Sequence, residues 1–460
     1  MNVQSLSPLN EQLAAELRRD AALAQARLDL RHESVPAFLH NYPYPVSAWP
    51  IFVNRQLIRE QFEPLVASMP KVLRRALRAR FSDNDAMAEY FGWPELICHM
   101  LEQAPSDPGD LLIRYDIVLT SGGPKLLENN YGSTAGGWQD DFFLPQMRTH
   151  LERLAQSRAW KVSYRPILHS MLKALADGIE RRRPDDAHGN ILVYRTFSPG
   201  EMNPDDLRDS LQSVYDAVKS PALADGRITV LREFEEIDFT AAGEVMVQGR
   251  VMDAFLLGDA MYTDLQPATL NRLIAAQLRD QLVFPDSPFH LLHGDKGMFA
   301  LLHECRNACL LDDDDCALID RYVPWSARLL DEEVLLDGAH IPLIRHLLAH
   351  KDDFVIKKFH SSGGRDVIVG RHSDADQWEQ MVRDRAEPGA RWIVQKFCAP
   401  SRMDLPDAAL GMVSHAVILG VFSYEGEYSG AFVRGHRAGG RQGVINSATG
   451  ATDVPVFEAD

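Results

Sequence analysis

The sequence predicts a mixed α/β (α+β) protein, and three observations carry that prediction. The first hundred or so residues place apolar side chains at helical spacing. Two β-rich runs then flank a glycine turn at Ser121-Gly122-Gly123-Pro124, and the last third returns repeatedly to short β-rich runs.

At 460 residues the chain exceeds the roughly 250–300 residues at which single cores stop growing, so two or three packed domains are expected. Apolar residues make up 45% and charged residues 25%, which argues against a disordered or fibrous chain. The formal charge of −17 argues against a nucleic-acid partner, whose groove needs clustered Lys and Arg, and leaves room for a local basic pocket. No apolar run approaches the roughly 18–20 residues of a membrane span. The start, MNVQSLSPLNEQL, has neither a basic leader nor an apolar segment, so a cytoplasmic location without a membrane partner is expected. Five cysteines, Cys98, Cys305, Cys309, Cys316 and Cys398, make no disulfide framework. His303, Cys305, Cys309 and Cys316 lie close in sequence, but LLHECRNACLL reads as an amphipathic helix with core cysteines rather than a zinc site. Oligomeric state is not legible.

Ser7-Pro8 is a helix start, followed by Leu9, Leu13 and Leu17, and residues 1–105 are expected to be mostly helical. Residues 106–185 hold LLIRYDIVLT and KLLENN, a hairpin, then helical spacing from Asp141 to Ile179. Residues 186–287 alternate NILVY, RITVL, EVMV and MDAFLL with helical stretches, a small α/β domain. Residues 288–460 contain FVIKKF, DVIVG, WIVQKF, HAVILGVFSY and EYSGAFVRG, the last two forming a long hairpin. Asp312 to Asp315 reads as a solvated loop rather than a Ca²⁺ site.

Three constellations carry candidate chemistry. Asp116 is followed twelve residues later by Glu128, with Asn130 two further on, so a closed hairpin sets their oxygens on one face. Paired carboxylates repel unless a cation neutralises them, and one or two carboxylates with an amide oxygen suit Mg²⁺; surface strand ends fit the same pattern. FVIKKFHSSGGRDVIVG places Lys357 at a strand end before Ser361, Ser362, Gly363 and Gly364, a small-residue loop whose N–H groups can approach phosphate; an ordinary glycine hairpin fits equally. WIVQKFCAP is either a buried strand or a hinge at which backbone groups of Gln395, Lys396 and Phe397 read an adenine edge. Lys296 and Arg434 become candidates through this company.

In this order the segments resemble the circularly permuted branch of the ATP-grasp superfamily, which includes the synthetase half of glutathionylspermidine synthase. The acidic Arg-x-Asp and Glu-x-Asn elements (Arg114, Asp116, Glu128, Asn130) precede the lysine strands, the reverse of most ATP-grasp enzymes. The likeness spans roughly residues 110–460. It departs at Lys358, where the family often has proline, at Asp295, where the family has Asn, and in lacking an amidase half. The resemblance implies a circularly permuted ATP-grasp fold with a helical N-terminal region and a small pre-ATP-grasp-like domain. It implies ATP and a pair of Mg²⁺ ions on Asp116, Glu128 and Asn130, with Lys296, Lys357 and Arg434 clamping phosphates. Arg114 is implied to hold the reacting carboxylate, and Ser133 and Thr134 to orient it. The implied reaction joins a small-molecule or short-peptide carboxylate to an amine through an acyl phosphate. A small-molecule phosphotransferase, or a non-catalytic nucleotide-binding protein, is the alternative on the same residues.

Overall fold

The computed structural model describes residues 6–103, 110–154, 159–195, 203–361, 364, 366–387, 389–407, 410–437 and 444–460. Its largest element is an eight-stranded sheet. Six strands run across it in the order Ile51–Asn54, Thr452–Ala459, Glu427–Arg437, Gly411–Tyr424, Leu112–Thr120, Gly123–Tyr131. The expected early and C-terminal hairpins are thus neighbours, joined through Leu112–Thr120 and Gly411–Tyr424. Parity then sorts the early strand. Tyr115, Ile117 and Leu119 enter a core shared with N-terminal helices, while Arg114 and Asp116 face the other way.

The helix Pro8–Arg19 starts as expected, with the Ser7 hydroxyl accepting from the Leu9 N–H at 3.3 Å. The N-terminal region is not wholly helical, however. Ile51–Asn54 adds a parallel strand beside Thr452–Ala459, and the backbone of Ser47 bonds to Asp453 at 2.8 Å. The helical stretch expected from Asp141 to Ile179 is likewise split by the strand Val162–Tyr164, which pairs with Thr452–Ala459. Residues Ile191–Tyr194, Ile228–Leu231 and Ala254–Leu256 form a small parallel sheet against the helix Pro204–Val218, the α/β segment anticipated from texture. Parallel pairing buries both faces, which explains its apolar runs.

A four-stranded antiparallel sheet orders Ser326–Arg328, Trp392–Lys396, Phe354–Lys358 and Val367–Val369. The Asp312–Asp315 run is a correction, since it is a helix N-terminus rather than a loop. Asp312 caps the helix Asp313–Tyr322 by accepting from the Asp315 N–H at 2.8 Å, and Arg75 pairs with Asp315. Carboxylates favour that position because unpaired N–H groups point out of the first turn. LLHECRNACLL is helical to Asn307, with Cys305 buried against the Ala76 carbonyl, and the described residues hold no group of three or more His, Cys, Asp or Glu side chains placed to hold a metal ion. No helix among the described residues is long and apolar enough to cross a membrane.

Candidate functional site

The register of the large sheet builds the site. Asp116 lies opposite Glu128 on one side and Gly420 on the other, and Arg114 lies opposite Asn130 and Phe422. Gly420 in turn faces Phe432, and Arg434 faces Asp453. Opposed residues share a face, so Arg114, Asp116, Glu128, Asn130, Arg434 and Asp453 converge on one side of the sheet. Gly420 is required there, because a Cβ would lie 2.3 Å from Phe432 Cε1 and 3.0 Å from Arg114 Cδ.

Asp116 is only 2% exposed and sits between two guanidiniums. Arg114 Nε donates to its Oδ1 at 2.9 Å, Arg434 Nη2 lies 2.6 Å from Oδ2, and Asn130 Nδ2 donates to Oδ2 at 3.2 Å. Burial alone pushes this carboxyl up; the charges and hydrogen bonds of Arg114 and Arg434 outweigh it and hold the group well below the usual carboxylate range. Burial works against the Arg434 charge too, and Asp116 more than offsets it. Arg114 spends its third donor on the Gly136 carbonyl at 2.8 Å, tying the small-residue loop to the hairpin.

The last third of the chain supplies the lysines. Lys296 Nζ lies 3.3 Å from Glu128 Oε2 and donates to the Ser361 carbonyl at 2.6 Å. Strand alternation buries Lys357 and leaves Lys358 exposed. Lys357 Nζ donates to Gln395 Oε1 at 2.7 Å and to the Leu127 carbonyl at 2.9 Å. The latter is available because a bulge sets Leu127 out of register with its partner strand. Burial brings the Lys357 ammonium down to about 8, with the Glu128 charge opposing and the Lys296 charge assisting.

Two cavities meet at these side chains. The larger, of about 880 Å³, is lined by Arg114, Asn130, Thr134 and Lys296, and also by Tyr42 and Asp453. A narrower cleft is lined by Lys357 and Gln395 together with the apolar side chains of Val355, Val369, Phe397 and Ile418. Glu128 and Arg434 line both, so one elongated, charged molecule can span them. Asp453 is pushed up to about 6 by burial, against the Ser447 hydroxyl and the Arg434 and Arg114 charges.

Arg114, Asp116, Glu128, Asn130, Lys296, Lys357 and Arg434 are therefore brought together, with Gly364 and Gln395 on the narrow cleft. Three further candidates, Ser133, Lys396 and Phe397, have protein partners of their own. Ser133 is not free to orient a substrate: its hydroxyl donates to Asp286 Oδ2 at 2.7 Å and accepts from the Gly258 N–H at 3.0 Å, latching the loop to the middle α/β segment. Thr134, its exposed neighbour, lines the large cavity instead. The Lys396 side chain turns outward to Asp337, 2.8 Å away. The Lys396 and Phe397 N–H groups are spent on the Trp325 and Asp353 carbonyls at 2.8 and 2.7 Å, since Trp392–Lys396 is an inner strand, so these donors do not read a base edge. Ser362 and Gly363 lie outside the described residues. The sequence reading missed Asp453, Phe432 and Tyr42. Phe432 lies two residues before Arg434 and was findable by parity; Asp453 and Tyr42 carry no local signal.

Hard oxygens on Glu128, Asn130 and Asp116 fit a Mg²⁺ ion that keeps waters and takes phosphate oxygens. Glu128 opens into both cavities, whereas Asp116 must release a guanidinium contact to take part. No family model and no curated protein matches the chain.

Proposed function

We propose that the protein is an ATP-dependent carboxylate–amine ligase on a circularly permuted ATP-grasp fold, forming an amide or peptide bond and releasing ADP and phosphate. The observation that carries this reading is the meeting of Glu128 and Asp116 with Lys296, Lys357 and Arg434 at the junction of a narrow apolar cleft and a wide polar cavity. An adenine ring fits the apolar walls, the triphosphate runs toward the cations, and the acid and amine occupy the wide cavity.

Chemistry on this site is a matter of charge. Lys296, Lys357 and Arg434 bind the phosphates, with Lys357 largely protonated at neutral pH. Glu128, Asn130 and Asp116 would hold Mg²⁺, which neutralises phosphate charge when bound. Arg114 orients the acid so that one carboxylate oxygen attacks the γ-phosphorus, and the bond to the ADP oxygen breaks. The amine nitrogen then attacks the acyl carbon and loses a proton, and inorganic phosphate leaves. Arg114 faces the cavity where the oxyanion of that second step develops.

The test is trapping. Protein, MgATP and hydroxylamine are incubated with a panel of amino acids and short peptides as acids. An acyl phosphate yields a hydroxamate and stoichiometric ADP. Phosphorylated product without hydroxamate makes the protein a phosphotransferase and ends the ligase reading.

A further inference from the structure

Asp295 precedes Lys296 and its side chain is fully buried. Its Oδ1 accepts from the Gly297 N–H at 2.7 Å and its Oδ2 from Trp93 Nε1 at 2.8 Å. Both oxygens act as acceptors, as in a carboxylate, and a buried carboxylate requires a cation. His360 lies in place to be that cation: Nδ1 is 3.3 Å from Asp295 Oδ2, and Nε2 is 3.0 Å from the Phe91 carbonyl. Burial pushes the Asp295 carboxyl up, and the His360 charge is the largest influence opposing it.

The same few residues fix Lys296. Its N–H donates to the Phe359 carbonyl at 3.2 Å and its ammonium to the Ser361 carbonyl at 2.6 Å, bracketing His360 on both sides. Gly297 permits the approach, since a Cβ there would lie 2.5 Å from Phe359 Cε2. Phe91 and Trp93, which provide the fixed partners, stack with centroids 4.0 Å apart between the helices Asn84–Phe91 and Glu95–Gln103.

We propose that Asp295 and His360 are positioning residues: their ion pair, anchored to Trp93 and the Phe91 carbonyl, sets Lys296 beside Glu128 and thereby the affinity for nucleotide phosphates. This makes the N-terminal helical region a working part of the site. It rests on the nucleotide half of the proposed function.

Calorimetric titration with MgADP separates the two. His360→Ala leaves Asp295 buried without its cation and is expected to weaken MgADP about three- to tenfold. His360→Gln keeps an N–H for the Phe91 carbonyl but no charge, and is expected to match it. In an Asp295→Asn background, where no carboxylate needs a partner, His360→Ala is expected to change affinity less than about twofold. Equal losses in both backgrounds, unchanged affinity in His360→Ala, or wild-type affinity in His360→Gln each overturns the positioning role. Melting temperatures measured alongside expose a merely structural effect, which follows no such background dependence. If the wild-type protein does not bind MgADP, the nucleotide reading itself fails, before any variant is compared.

Discussion

Glu128 is the residue on which both halves of the site depend, because it faces Lys296 directly and lines both cavities. Its side chain is partly exposed but its partner Lys296 is buried, so removing the carboxylate leaves a buried ammonium without its counter-charge. Glu128→Ala is expected to abolish acid- and amine-dependent ADP release in a protein that still unfolds in one cooperative urea transition; full ligation by this variant removes the metal assignment. Asp453 behaves differently, since burial raises its carboxyl to about 6 and the folded chain holds that proton more tightly than the unfolded one. Between about pH 4 and about pH 6 the folded state thus binds more protons, and stability falls as pH rises through that window. Asp453→Asn is expected to flatten the pH dependence of the urea midpoint there, and an unchanged slope contradicts the assignment. Asp116, Glu128 and Asn130 were legible as members of one hairpin, but the turn that pairs Thr120 with Gly123 would set Leu127 opposite Asp116, and only the bulge there brings Glu128 onto the same face. Ser133 was not, because the partner that captures its hydroxyl, Asp286, lies 153 residues away.

Among the elements, the early hairpin and the long C-terminal hairpin were both legible from alternation and glycine turns, but not their pairing. That pairing places Gly420 between Arg114 and Phe432. Gly420→Ala puts a methyl group against the Phe432 ring and is expected to cost about 1–3 kcal/mol, read by urea denaturation. A change under about 0.5 kcal/mol shows that the two strands do not approach as described. The hinge segment illustrates a limit of local reading. WIVQKF announces a strand, yet only the residues that open its two neighbouring strands, Trp325 before Ser326–Arg328 and Asp353 before Phe354–Lys358, spend the N–H groups that a base edge needs. Lys357 and Lys358 pose the same problem, since alternation separates them but not which face is buried.

At the scale of the molecule, mixed α/β architecture was legible from texture, whereas the parallel strand Ile51–Asn54 was hidden in a stretch otherwise helical. That strand carries Tyr42 and the backbone of Ser47 to Asp453, so the wide cavity is walled by segments some four hundred residues apart in sequence. Burial among such distant partners leaves no periodic trace in either segment. The account stands or falls on whether one nucleotide bridges the two cavities. A crystal structure with Mg²⁺ and a non-hydrolysable ATP analogue tests this most directly. The expected result has adenine between Val355 and Ile418, phosphates on Lys296, Lys357 and Arg434, and Mg²⁺ on Glu128. A nucleotide seated elsewhere, or phosphates turned away from Glu128, contradicts it.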